Sequence, residues 1–311
     1  MEGVALAPEK TQGRRRRLLF ALRAGLTVAV LTVLIVRVRL GDMAAALGEV
    51  RASFLILAGA LIGPNLGLQI YKWLYLVRLI KPHVRIKEIA CSVLAGLSLG
   101  LITPGRVGEL GRIFYVGGQS RRALAGLMLM DRAYTMVLNV GVGAVAFTAL
   151  MGGQGLPLVI PLGLGGVYLA ITPHRSVRIA RAMLSRLPFS GALTPLLHGL
   201  QSMDRRKGIA LLGLSLLFYL THTVQLYLLL RAFGPLSWQA GAVVLPSIVF
   251  VRSVLPIAIG DLGIRESAAV LLLSKFGISP AVAIDAVLLL FGMNVVLPGL
   301  FGALWVHRLR R

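Results

Sequence analysis

Apolar runs long enough to cross a bilayer recur along this chain, and they set its class before any motif is considered. Backbone N–H and C=O groups in hydrocarbon meet no water, so each run must satisfy itself as a helix. Crossing a core of roughly 30 Å takes about 20 apolar residues. The sequence predicts full spans at about Leu18 to Val36, Ser53 to Ile80, Ala123 to Leu150, Leu156 to Ile171, Gly208 to Phe233 and Val282 to Val306. The fourth of these is short. Only 14% of the 311 residues are charged and 57% are hydrophobic. A soluble domain averages about 25% charged. The expected fold is an all-α polytopic membrane protein with about six full spans.

Two further apolar stretches are broken. Ile89 to Ile102 reaches about 21 Å at 1.5 Å per residue, short of the hydrocarbon thickness. Pro104 and Gly105 then interrupt it, and a second piece runs from about Val107 to Val116. The pattern returns later as Ala240 to Val254, a break from Pro256 to Gly263, and Ile264 to Phe276. Both are predicted to be re-entrant broken-helix hairpins, which brings the hydrophobic segments to about eight. Irregular backbone at membrane depth survives only where protein buries it or where it lines a wet cavity.

Residues 1–17 read as a basic, disordered cytoplasmic tail, and residues 18–311 as one transmembrane domain. Half one covers about 53–150 and half two about 207–307, joined by a polar connection at 172–206. Within that connection, HRSVRIARAMLSRL places Arg175, Arg178 and Arg181 on one face, the pattern of an interfacial amphipathic helix. Basic residues orient the chain. With both termini in the cytoplasm, that side receives the Arg14 to Arg17 run, Arg78, Lys81, Arg85, Lys87, Arg121, Arg122, the connection and the HRLRR tail. The other side receives Arg37, Arg39, Arg51, Arg231 and Lys275. A multi-pass protein of the inner membrane is therefore expected. The first hairpin then opens to the cytoplasm and the second to the outside. This makes an inverted repeat, the arrangement in which secondary transporters form sites at broken helices.

The net charge of +22 belongs to these flanking cations and does not form a nucleic-acid-reading motif. Cys91 is the sole cysteine, so no intrachain disulfide can form. No HExxH, P-loop, GxSxG or metal-spaced Cys/His set is present, so neither an enzyme nor a bound cofactor is expected. Lys72 reads as a snorkelling lysine near the end of a span. Gly59, Gly63 and Gly67 read as a close-packing stripe and Pro64 as a kink. His222 and Gln225 are polar groups inside the fifth span.

The ionisable residues at membrane depth are the candidate substrate-binding set, since charge at that depth is costly and usually functional. They are Arg106, Glu109 and Arg112 in the first hairpin, Asp131 and Arg132 on the third span, and Arg252, Asp261, Arg265 and Glu266 in the second hairpin. Arginine forks suit phosphate, and a helix N-terminus after a Pro-Gly break favours an anion. The carboxylates would orient the arginines or meet a cationic headgroup. Structural ion pairing of the broken helices is the competing account. Adjacent Asp131 and Arg132 cannot share a helix face, so separate partners are expected. Asp285 is placed where it could face the second cluster.

TPGRVGELGR (Thr103 to Arg112), Asp131–Arg132, and a late proline followed by GDLGIRE (Gly260 to Glu266) together resemble the transmembrane region of bacterial lysylphosphatidylglycerol synthases. The same module occurs in stand-alone flippase-like membrane proteins. The resemblance covers nearly all of the chain after the tail. It implies movement of a phospholipid between leaflets; aminoacyl transfer, the work of a separate soluble domain in the synthases, is not expected of residues 1–311. Two departures bear on substrate. The family's second motif usually reads Gly-Gly-Leu-Gly, where this chain has Asp261. Relatives often carry a basic residue near the position of Asn294. The expected function is lipid translocation of an anionic or zwitterionic phospholipid or lipid-linked headgroup. The alternatives are secondary transport of a small anion and a non-transporting membrane partner of a lipid-modifying enzyme. Membrane lipid is the expected partner. A separately encoded lipid-modifying enzyme and a second copy of the chain are the compatible protein partners.

Overall fold

A computed structural model describes residues 50–184, 203–254 and 263–309. The predicted first span and the basic tail lie outside the described residues. So do the break at 255–262, with Asp261, and most of the polar connection.

The described residues are helical throughout, apart from short connections. The first long helix is split into α1 (Ala52–Ala60) and α2 (Ile62–Arg78). The split at Leu61 follows from Pro64, which has no N–H for the Ala60 carbonyl and whose ring crowds the preceding turn. Then come α3 (Ile86–Ile102) and a 3₁₀ segment (Pro104–Tyr115). They are followed by α4 (Arg121–Leu150), α5 (Leu156–Ile171), α6 (Pro173–Leu184) and α7 (Arg205–Phe233). The second hairpin supplies α8 (Trp238–Val254) and α9 (Ile264–Leu273). Last come α10 (Pro280–Phe291), a π turn (Gly292–Val296) and α11 (Leu297–Leu309). Ser120, Asp204 and Ser279 start α4, α7 and α10, each accepting a backbone N–H three residues on.

Four of these helical stretches are long and apolar enough to cross a membrane: Ala52–Arg78, Arg121–Leu150, Arg205–Phe233 and Pro280–Leu304. The chain bends by 107° between α5 and α6, and this pair makes a fifth if counted as one broken span. The protein is thus a multi-pass membrane protein. After the bend, α6 presents Arg175 and Arg178 outward and buries Val177, the amphipathic division its sequence predicts.

A long helix, two shorter pieces and a second long helix occur in the same order twice. The packing is reciprocal. α1 and α2 lie against α7, α3 lies against α11, and α8 lies against α4. Each hairpin's first arm therefore rests on the closing long helix of the other half. Both contacts are made by backbone approach at glycine. A Cβ on Gly302 would stand 2.5 Å from the Leu94 carbonyl oxygen, and one on Gly143 would stand 2.6 Å from Phe250 Cβ. Ser98 Oγ donates to the Gly299 carbonyl at 2.7 Å. In hydrocarbon, where lipid tails are as apolar as leucine, such close packing and interhelical hydrogen bonds hold helices together.

Here a sequence expectation fails. No described neighbour lies within 4 Å of a Cβ built on Gly59, Gly63 or Gly67. Glycine spacing describes one surface and does not say whether a partner ridge reaches it.

Two apolar cores flank the middle of the protein. One is centred on Trp73, Leu76, Leu124, Leu127 and Met128 of the first half. The other is centred on Leu229, Leu230, Leu245, Ile248 and Leu273 of the second. The polar residues at membrane depth collect between them.

Candidate functional site

The first hairpin is built on a triplet. From Gly105 the sequence reads Gly-Arg-Val, Gly-Glu-Leu, Gly-Arg-Ile. A 3₁₀ helix has 3.0 residues per turn, so every third residue falls on one line. The glycine line faces α3: a Cβ on Gly108 would stand 2.1 Å from the Leu99 carbonyl oxygen. Thr103 Oγ1 donates to that carbonyl at 2.8 Å and accepts the Gly108 N–H at 2.6 Å. Val107 and Leu110 of the apolar line face outward, 60% and 51% exposed, and Ile113 at its end packs against the first-half core. The charged line carries Glu109 and Arg112. The second arm is thus not the α-helical piece that i, i+3 pairing presupposes. Its charges are spaced one full turn apart. Arg106 lies on the same segment, and its side chain is outside the described part of the structure.

Arg112 Nη2 meets Asp131 Oδ2 of α4 at 3.0 Å, and its guanidinium lies 4.1 Å over the Trp73 ring. Trp73 Nε1 donates to Ser92 Oγ at 3.1 Å, and Ser92 donates to the Arg112 carbonyl at 2.7 Å. Both ends of Arg112 are therefore fixed by one closed set of contacts. Lys72 completes the group, with Nζ 2.8 Å from Asp131 Oδ1 and 2.7 Å from Thr135 Oγ1. The snorkelling expectation for Lys72 is overturned: the residue is 4% exposed and turned inward to a carboxylate. Arg132, the next residue on α4, pairs with Glu109 instead. The separate partners expected for Asp131 and Arg132 are present, since consecutive helical residues diverge by about 100°.

In the second hairpin, Gly263 begins α9 at φ 91°, a left-handed conformation that suits glycine. Glu266 reaches back to the Gly263 N–H at 2.6 Å and also takes Arg265 Nη2 at 2.7 Å. Arg265 lies 5.3 Å from the Phe291 ring centroid, and both it and Glu266 are buried.

These groups surround one cavity of about 340 Å³ between the two halves. Glu109, Arg112, Asp131 and Arg132 line it from the first half, and Arg252 and Arg265 from the second. Six of the nine predicted site residues are thus brought together. Glu266 is not on the wall and pairs with Arg265, which is. Arg106 and Asp261 fall outside what is described. Asp285 is buried on α10 and does not reach the cavity. Five cationic side chains and two carboxylates line the wall, and each of the two carboxylates is held by cations.

Sequence reasoning missed Lys72 and a set of neutral polar groups on the same wall, Asn65, Gln69, Thr135 and Asn139, whereas Asn294, singled out as a departure that bears on substrate, does line it. Their signal was present as amides and hydroxyls inside apolar runs, which are expensive unless partnered. His222 lines the cavity. Gln225 sits behind it, linking Asn294 Nδ2 at 2.7 Å to the Ala58 carbonyl at 2.9 Å. Asn294 belongs to the π turn, a distortion found frequently at functional sites. No group of three or more metal-ligating side chains occurs among the described residues.

Residues 20–302 match the family model described as the lysylphosphatidylglycerol synthase transmembrane region, and the chain belongs to that family. No curated protein matches the chain in sequence.

Proposed function

We propose that this member of the lysylphosphatidylglycerol synthase transmembrane-region family is a lipid translocase. It holds the phosphate of an anionic or zwitterionic headgroup between its two halves while the lipid changes leaflet. One observation carries this reading: the cavity at the junction of the halves has five cations against two already paired carboxylates, within a membrane protein. Its volume is about 340 Å³, room for a headgroup rather than for whole acyl chains. Arg112 and Arg265 are the main phosphate ligands, one from each hairpin, with Arg106 joining them from the same segment as Arg112. Glu109 and Glu266 orient arginines. No covalent chemistry is required of any residue.

The reciprocal packing of hairpins and closing helices supports an inverted repeat, and the distribution of basic residues favours both termini in the cytoplasm of an inner-membrane protein. Rocking one half against the other would then expose the cavity to each leaflet in turn.

The test is reconstitution into liposomes with a panel of fluorescent phospholipids, following leaflet exchange by quenching from outside. Exchange above that of empty vesicles, reduced at least tenfold by Arg265→Gln in a variant that elutes as folded protein, is expected. Absence of exchange for every lipid, or saturable uptake of a soluble anion in its place, would overturn the reading. Cysteine labelling at 117–122 and 234–239 should report opposite faces of the membrane. Labelling from one face would remove the inverted repeat.

A further inference from the structure

One buried acid stands outside the cavity and outside every described ion pair. Asp285 is on α10, five residues after Pro280, and is 4% exposed. Its Oδ2 has no hydrogen-bond partner. Glu88, Glu109, Asp131 and Glu266 each meet a lysine or an arginine, whereas Asp285 meets none among the described residues. Ala281, one turn earlier on the same side of α10, packs with Ile284 and against Val270 of α9. The charged and titratable groups on the elements packed against α10 are engaged elsewhere. On α9, Arg265 and Glu266 pair with each other. On α7, whose Leu226, Leu229 and Leu230 share a core with Ala283 and Ala286, Tyr227 and Arg231 donate to the Leu236 carbonyl. Tyr219 and His222 of the same helix line the cavity. Lys275, past the end of α9, reaches Met151. The π turn carries no such group.

A carboxylate taken out of water with neither cation nor donor is among the most costly groups a protein can hold, and such a group sheds its charge by taking a proton. Acids inside membrane spans serve as proton relays in pumps and transporters. A proton needs one oxygen. A sodium ion needs several, and among the described residues no group of three or more His, Cys, Asp or Glu could hold a metal ion. The helix that carries Asp285 also reaches the cavity. Leu290 and Phe291 line it, and Arg265 of α9 lies 5.3 Å from the Phe291 ring centroid. Phe291 is six residues beyond Asp285, about 9 Å along the helix.

We propose that Asp285 is a proton-binding site that couples lipid translocation to a proton gradient. In the closed packing of α9 on α10 the carboxyl keeps the proton in an O–H bond. When α9 parts from α10, water reaches the group, the O–H bond breaks, the proton leaves to water and the electron pair stays on the carboxylate. The same movement takes Arg265 off Phe291, so phosphate binding and proton binding share one seam. The coupling rests on the translocase reading; the proton site does not.

Two measurements separate the site from the coupling. Infrared absorption of the full chain at neutral pH, in a detergent without esters, reads the carbonyl stretch of protonated carboxyl groups. The expected result is a band that shifts in heavy water and loses intensity in Asp285→Asn. Asp285→Val, which suits the apolar surroundings, takes its place where Asp285→Asn does not elute as folded protein. An identical band in a folded variant would overturn the site. For the coupling, the full chain is reconstituted in liposomes carrying a trace of fluorescent phosphatidylglycerol or phosphatidylethanolamine. With one proton moved per lipid, a gradient of about one pH unit should shift the tracer's leaflet ratio about tenfold relative to empty vesicles under the same gradient. The folded variant should show no shift. A tracer that exchanges with its ratio unmoved by the pH gradient, or a variant that keeps the shift, overturns the coupling and leaves the translocase reading intact. A ratio moved by a sodium gradient at equal pH, and not by the pH gradient, also overturns it. No exchange of either tracer overturns the translocase reading and the coupling with it, while the infrared band decides the site by itself.

Discussion

Replacing Asp131 by Asn tests whether the centre of the first half is a buried charge group. The carboxylate lies 2.8 Å from Lys72 Nζ and 3.0 Å from Arg112 Nη2, and Lys72 is almost fully buried. Asn keeps the shape and one acceptor, but it leaves two cations facing each other with no anion between them. Removing one member of a buried ion pair costs about 3–5 kcal/mol. At about 2–4 °C per kcal/mol for a domain of this general size, the melting temperature should fall by roughly 6–20 °C. Cys91, the only cysteine in the chain, serves as the reporter: a thiol-reactive dye follows its exposure on heating in detergent. Adding Lys72→Met should recover part of the loss, because the double variant strands one cation instead of two. A shift under about 2 °C for Asp131→Asn, or a double variant no more stable than the single one, would refute the argument, since about 1 kcal/mol or less is what an exposed pair contributes.

Further outcomes follow from neighbouring geometry. Arg132→Ala should change stability by less than about 1 kcal/mol, because its side chain is 58% exposed, and chemical denaturation against the wild type checks this. Gly302→Ala should destabilise by about 1–3 kcal/mol, since the new methyl would meet the Leu94 carbonyl at 2.5 Å. Gly165→Ala, in open space on α5, should be neutral or stabilise by up to about 1 kcal/mol; melting curves of the pair compare them directly. Gln225→Leu leaves Asn294 and the Ala58 carbonyl without their partner, and should lower stability by about 1–3 kcal/mol in the same melts.

What the sequence made legible is local. Pro64 announces the split at Leu61, because a missing N–H and a ring clash act within four residues. Ser120, Asp204 and Ser279 act just as locally as caps, although the expected starts near Ala123, Gly208 and Val282 were placed without them. That Asp131 and Arg132 need different partners follows from their adjacency on one helix. The 3₁₀ segment was not expected, because the charge spacing alone suits an α-helix as well, but its signal was local. The Gly-Arg-Val, Gly-Glu-Leu, Gly-Arg-Ile triplet has a period of three on all three faces at once, and only a helix with three residues per turn keeps glycine, charge and apolar lines separate. The usual limit on 3₁₀ length is relaxed here by the backbone approach that the glycine line permits against α3.

What stayed illegible depends on partners distant in the chain. Lys72 near the end of a hydrophobic run has a long stem that can reach the interface, so sequence position favours snorkelling. Its actual partner is 59 residues away on α4, and nothing in the local pattern distinguishes an inward lysine from an outward one. The same holds for glycine. The regular stripe at Gly59, Gly63 and Gly67 meets no described neighbour, while Gly143, Gly299 and Gly302 carry close helix contacts between the halves. A spacing rule describes one surface, whereas a close approach is a property of two. The cavity follows this logic. Its charged residues could be nominated singly, because charge at membrane depth is conspicuous in sequence. Its pairings, Lys72 and Arg112 on Asp131 and Arg132 on Glu109, could not. Those are properties of pairs, and they appear only once α2, the 3₁₀ segment, α4 and α9 stand around one space.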